Sequence, residues 1–94
     1  MASKVVRFDA TPNPNAIKCS LDARISDTPR SYFKPEEAQA ASDTLAVALF
    51  SIPNVTNVLI HTDWITVCKS PDGQWEPIKA AIRDIVARIE SHGP

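Results

Sequence analysis

The sequence predicts an α+β domain: a two-layer sandwich with two helices on one face of a mainly antiparallel sheet. Three observations carry this. Apolar and polar residues alternate in two strand pairs, the period of a half-buried strand. Two other segments repeat apolar residues every three or four positions, the spacing of an amphipathic helix. Turn residues separate them in the order ββ(x)αββα, which suits local hairpins with helices packed on one side.

The first strand lies in Val5–Ala10, where Val6, Phe8 and Ala10 alternate with Arg7 and Asp9. Thr11-Pro12-Asn13-Pro14-Asn15 follows. Its prolines donate no backbone hydrogen bond and its asparagines tolerate left-handed conformations, so it reads as a rigid turn. Alternation resumes in Ala16–Leu21, with Ile17, Cys19 and Leu21 on one face. Residues 22–33 are weakly periodic and read as a loop, with a short edge strand around Arg30–Phe33.

Pro35-Glu36-Glu37 suits the first turn of a helix, with proline near its start and acids at the positive end of the dipole. The apolar stripe is Ala38, Ala41, Leu45, Ala48, Leu49 and Ile52. Ser42 is placed to cap a second, shorter helix beginning at Asp43. Val55–Ile60 and Trp64–Lys69 flank His61-Thr62-Asp63 as a β-branched hairpin. Val58, Ile60, Ile65 and Val67 share one face; Leu59, Trp64, Thr66 and Cys68 point to the other. The last helix carries Trp75, Ile78, Ile82, Ile85, Val86 and Ile89, with Asp72 as its cap and Trp75 anchoring it to the core.

The 94 residues suit one domain, 1–94. Ten Lys and Arg against eleven Asp and Glu give a net charge of −1, without the basic stripe of a nucleic-acid binder. No apolar run approaches the roughly 18 residues that span a bilayer. The N-terminal segment lacks an apolar signal core, and the two cysteines form no CxxC, so a reducing, cytoplasmic setting with free thiols is expected.

Reactive constellations are sparse. His61 falls in a hairpin turn and His92 near the C-terminal end, neither beside a nucleophile in sequence. Two glycines cannot build a glycine-rich phosphate loop. Glu36 and Glu37 point about 100° apart on a helix and serve its dipole better than paired acid–base chemistry. No catalytic residue and no enzyme activity is expected. Cys19 reads as a small buried hydrophobe. Cys68, on the other face of its strand, is a weak metal candidate. Two copies in a dimer supply only half of the four thiolates an iron–sulfur cluster normally takes.

The remaining candidates are contacts. Trp64 beside Leu59 on an uncovered sheet face forms a patch for a partner, unless the 22–34 loop covers it. The proline-stiffened turn loses little entropy on docking, and the Asn13 and Asn15 amides beside Pro14 could pair with a partner backbone. The alternative is that this turn only fixes strand pairing.

Thr11-Pro12-Asn13-Pro14-Asn15-Ala16-Ile17-Lys18 resembles the T-P-N-P-N-x-L/I-K signature of the N-terminal domain of Nfu (NifU-like) iron–sulfur scaffold proteins. Leu45-Ala46-x-x-Leu49-Phe50-x-Ile52-x-x-Val55 is similar to that family's helix exit. The stretch from Val58 through Asp63-Trp64-Ile65-Thr66-Val67-x-Lys69 is similar to its hairpin. Trp75-x-x-Ile78-Lys79-x-x-Ile82 is similar to the opening of its last helix. The likeness covers roughly residues 5–90, with 22–41 matched poorly. Asn54 stands where the family commonly has glycine, Trp64 where it has phenylalanine, and Cys19 where it has an aromatic, which should leave a smaller core. The family's cluster-binding CxxC belongs to a separate C-terminal domain and does not occur here.

The resemblance therefore implies an accessory, protein-binding module tied to iron–sulfur cluster assembly or delivery. Its partners would be assembly or target proteins, and no cofactor would be bound by this chain alone. The alternative is a direct carrier of iron or a cluster through Cys68 in a dimer.

Overall fold

A computed structural model describes residues 4–22, 24–25 and 27–88. Eight elements follow in order: β1 (Val5–Ala10), β2 (Ala16–Leu21), β3 (Arg30–Tyr32), α1 (Pro35–Ala40), α2 (Thr44–Phe50), β4 (Val55–Ile60), β5 (Trp64–Lys69) and α3 (Trp75–Arg88). The strands form one antiparallel sheet in the order β1-β2-β5-β4-β3. The α+β sandwich is as the alternation predicts. His92 and Ile89 lie outside the described residues.

One apolar cluster holds the layers together. Ile17, Cys19 and Leu21 from β2, with Val58, Ile60, Ile65 and Val67 from the β4–β5 hairpin, meet Leu45, Leu49, Ile78, Ile82 and Val86 from the helices. Burying a side chain of this size contributes about 1.5–3 kcal/mol, so this interface is the main favourable term. Cys19 sits at its centre with no exposed surface.

Three local features depart from the simple periodicity. Val5 pairs with Leu21, but Arg7 pairs with Ser20, so β1 is irregular around Val6. The extra residue shifts the phase. Val5 packs on the core and Val6, expected inward, is 56% exposed.

The helical stretch after Pro35 is two helices. Ser42 adopts φ 55 and breaks the ladder. The cap of α2 is Asp43, one residue later than the sequence reading has it; its side chain accepts from Ala46 N. The break resets the phase, so Ala46 is buried while Ala41 faces solvent.

The last helix opens at Trp75, so Asp72 lies in the preceding turn rather than at the cap. Pro77 falls within the first turn, where its missing N–H is not needed.

Candidate functional site

Among the described residues, every buried helix side chain joins the cluster on one side of the sheet, and no helix covers the other side. This side carries Lys18 and Ser20 of β2, Trp64, Thr66 and Cys68 of β5, and Asn57 and Leu59 of β4. All are half-buried, by strand alternation with the buried residues between them. Lys18, Thr66 and Leu59 lie side by side across the strands.

Trp64 sits at the hairpin end of this face. The His61 ring stacks on it with centroids 4.7 Å apart and planes 6° from parallel. Lys18 Nζ lies 4.9 Å from the Trp64 ring centroid. The indole thus contacts both an imidazole and a cation, the cation contact alone being worth about 0.5–1 kcal/mol. At the neighbouring hairpin turn, Ile25 N donates to Thr62 O at 2.7 Å.

Cys68 shares the face. Its cross-strand partners are Ala16 and Asn57. Burial pushes its thiol up, partly offset by a hydrogen bond with Asn57. That direction opposes the thiolate a soft metal prefers. Among the described residues, no group of three or more His, Cys, Asp or Glu is placed to hold a metal ion. Cys19 is pushed up to about 12 by burial.

The proline turn lies at the opposite end of the sheet. Trp64 pairs with Ser20, whereas Lys69 N donates to Asn15 O. Five residues of β5 separate these contacts, roughly 17 Å at the rise of a strand. The structure therefore does not bring Asn13, Pro14 and Asn15 together with Leu59 and Trp64.

The turn's oxygens are engaged from within. Asn13 Oδ1 accepts from Asn15 N at 2.9 Å, and Thr11 Oγ1 donates to Asn13 O at 2.8 Å. Lys69 Nζ donates to Asn15 Oδ1 at 3.1 Å, and Trp75 Nε1 donates to Pro14 O at 3.3 Å. Neither asparagine uses a left-handed backbone. These bonds fix the turn against β5 and the start of α3.

A cleft opens between that turn and α3, lined by Phe8, Thr11, Asn13, Pro14, Trp75 and Lys79 among others. The sequence reading names Asn13 and Pro14 but misses Lys79 and the cleft, because its walls come from opposite ends of the chain.

A third cluster is structural. Asp43, besides capping α2, accepts from Arg30 Nε at 2.6 Å and from Tyr32 OH at 2.9 Å. Burial, reinforced by Asp43, pushes the Tyr32 phenol up. The acid ties β3 to α2.

The family model described as scaffold protein Nfu/NifU N terminal matches residues 6–93. The chain is 32% identical over 88 residues to NifU-like protein 5, mitochondrial, of Arabidopsis thaliana, covering 94% of this chain and 32% of that protein. It is 27% identical over 88 residues to the NFU1 iron-sulfur cluster scaffold homolog, mitochondrial, of Drosophila grimshawi, covering 94% of this chain and 30% of that protein. It thus spans about a third of the length of these relatives.

The solution structure of a NifU-like protein from Saccharomyces cerevisiae superposes with a TM-score of 0.76 at 23% identity, over 90% of this chain and 77% of that one. The crystal structure of protein SAV1430 from Staphylococcus aureus gives 0.69 at 24% identity, over 87% and 96%. Both show the fold.

The cytoplasmic expectation is corrected here: these curated relatives are named mitochondrial. Cysteine usage bears on redox state alone and does not distinguish one reducing compartment from another. No helix among the described residues is long and apolar enough to cross a membrane. The chain belongs to the Nfu/NifU N-terminal scaffold family.

Proposed function

We propose that this chain is a non-catalytic contact module for iron–sulfur cluster assembly or delivery, acting in mitochondria as its named relatives do. The family match and the relatives' names support the link to iron–sulfur proteins. The observation that carries the contact role is the uncovered sheet face, where Trp64 stacks with His61 and lies under Lys18, with Leu59 nearby. A pre-positioned aromatic of this kind is the usual anchor of a protein interface, because little rotamer freedom is left to lose.

The reactive side chains have other work. The His61 ring stacks on Trp64 with Nδ1 3.3 Å from Thr62 Oγ1, and both thiols are pushed up, away from the nucleophilic thiolate. The partners are therefore expected to be assembly or client proteins, met through the sheet face.

The test is affinity capture from a mitochondrial extract with the wild-type chain and the Trp64→Ala variant. Enrichment of iron–sulfur proteins by the wild type supports the reading; their absence overturns it. Anaerobic reconstitution with iron and sulfide separates it from a carrier role. A visible chromophore that disappears in Cys68→Ser would establish direct carriage instead.

A further inference from the structure

The cleft at the proline turn has a charge character that the chain as a whole lacks. Net charge is −1, yet three cations gather around the two aromatic rings that flank this cleft. Lys79 Nζ lies 5.6 Å and Arg83 Cζ 4.9 Å from the Phe8 ring centroid. Lys69 Nζ lies 5.4 Å from the Trp75 ring centroid. Among the described residues, none of these three cations is paired with a carboxylate. Lys69 is also buried, at 9% exposure, where its acceptors are the neutral Asn15 Oδ1 and Ser70 O. A buried cation without a counter-charge projects its field further than an exposed one, since solvent screens it less.

Shape and rigidity suit an extended ligand. One wall is the turn, fixed by its internal hydrogen bonds and by the Trp75 Nε1 bond to Pro14 O. The other is the first turns of α3, which present Trp75 and Lys79 to the cleft; Arg83, one turn on, reaches the Phe8 ring. The lining thus combines apolar ring surface with the Lys79 ammonium, and the Arg83 guanidinium lies beside it over the Phe8 ring.

We propose that this cleft docks an acidic peptide segment of a partner protein. An apolar side chain of that segment lies between Phe8 and Trp75, and its carboxylates face Lys79 and Arg83. The proposal rests on the reading of the chain as a contact module. It does not depend on the iron–sulfur link or on the Trp64 face, so the two fail separately.

The test uses the purified 94-residue chain carrying Trp64→Phe, so that Trp75 is the one remaining indole. The probe is a synthetic acidic nonapeptide with a central leucine, titrated at low salt against its lysine-for-glutamate counterpart. The expected result is a saturable change in Trp75 fluorescence with the acidic peptide, at least tenfold weaker with the basic one. Lys79→Glu/Arg83→Glu should weaken acidic-peptide binding at least tenfold with far-ultraviolet circular dichroism and melting temperature retained. Binding should also fall as salt rises. No saturable change, or affinity insensitive to the charge reversals, overturns the proposal. So does a single-stranded oligonucleotide that binds the same site at least as tightly, which would mark a general polyanion site.

Discussion

Lys69 Nζ donates to Asn15 Oδ1 at 3.1 Å, joining two residues 54 positions apart. The same residues are bridged through their backbones, Lys69 N to Asn15 O at 2.8 Å. The turn is thereby welded to the end of β5, and a buried ammonium is kept hydrogen-bonded. Removing one acceptor from a buried cation costs about 1–3 kcal/mol. Asn15→Ala should lose about that much in urea unfolding, and less in a Lys69→Met background, where no ammonium is left wanting. Equal losses in both backgrounds would show that the side-chain bond adds nothing.

Asp43 combines a helix cap with a buried pairing to Arg30 and Tyr32. Its side chain is 7% exposed. Truncation would strip the cap and remove one acceptor from both Arg30 and Tyr32. Asp43→Ala should cost roughly 2–3 kcal/mol, about 1 from the cap and the rest from the acceptor lost to Arg30 and Tyr32. Asp43→Asn keeps a cap acceptor and should cost clearly less. Thermal or chemical unfolding of the two variants measures the difference.

Asn54 and Gly73 constrain each other. Asn54 adopts φ 74, the left-handed region, and its Cβ lies 2.9 Å from where a Gly73 Cβ would stand. Glycine at 73 answers a need for space. Gly73→Ala should destabilise by about 1–3 kcal/mol, the usual range for overpacking. Asn54→Gly removes the opposing Cβ and relaxes the backbone, so the Gly73→Ala penalty should shrink in that background. Lys69 Cδ and Ser70 O at 3.3 Å keep the rescue partial. A penalty unchanged by Asn54→Gly would mean that these neighbours, and not Asn54, set it.

Alkaline pH should weaken the fold through Cys19. Burial raises its thiol from the ordinary 9.0 to about 12. Between those values the unfolded chain sheds this proton while the folded chain keeps it. The unfolded state then binds fewer protons, so stability falls as pH rises through this window. The full shift corresponds to about 4 kcal/mol at its upper end. Unfolding free energies from pH 8 to 11 should decline less steeply in Cys19→Ala than in the wild type. Parallel declines would assign the alkaline loss to other groups.

The sequence discloses the parts of this structure that rest on short-range periodicity. Alternation places Ile17, Cys19 and Leu21 with Val58, Ile60, Ile65 and Val67 on the buried face, and the same parity puts Trp64 and Leu59 on the open one. It misplaces Val6, because the irregularity in β1 is a property of the pairing with β2. It puts the second helix's cap at Ser42, because serine is a common cap, whereas here Ser42 bends left-handed and Asp43 gains partners from β3. Asn54 proves to hold a left-handed backbone, the conformation that glycine adopts at least cost. The cation over Trp64 and the cations around Phe8 and Trp75 were out of reach, since each joins side chains from separate elements.

The central claim is that the uncovered sheet face makes this chain's contacts, and side-by-side capture measures it most directly. Equal amounts of wild type and Trp64→Ala, shown to melt alike, are presented to one mitochondrial extract, and bound iron–sulfur proteins are quantified by mass spectrometry. A drop of at least fivefold for the variant is the predicted result. The same iron–sulfur proteins retained in equal amounts by both would contradict it.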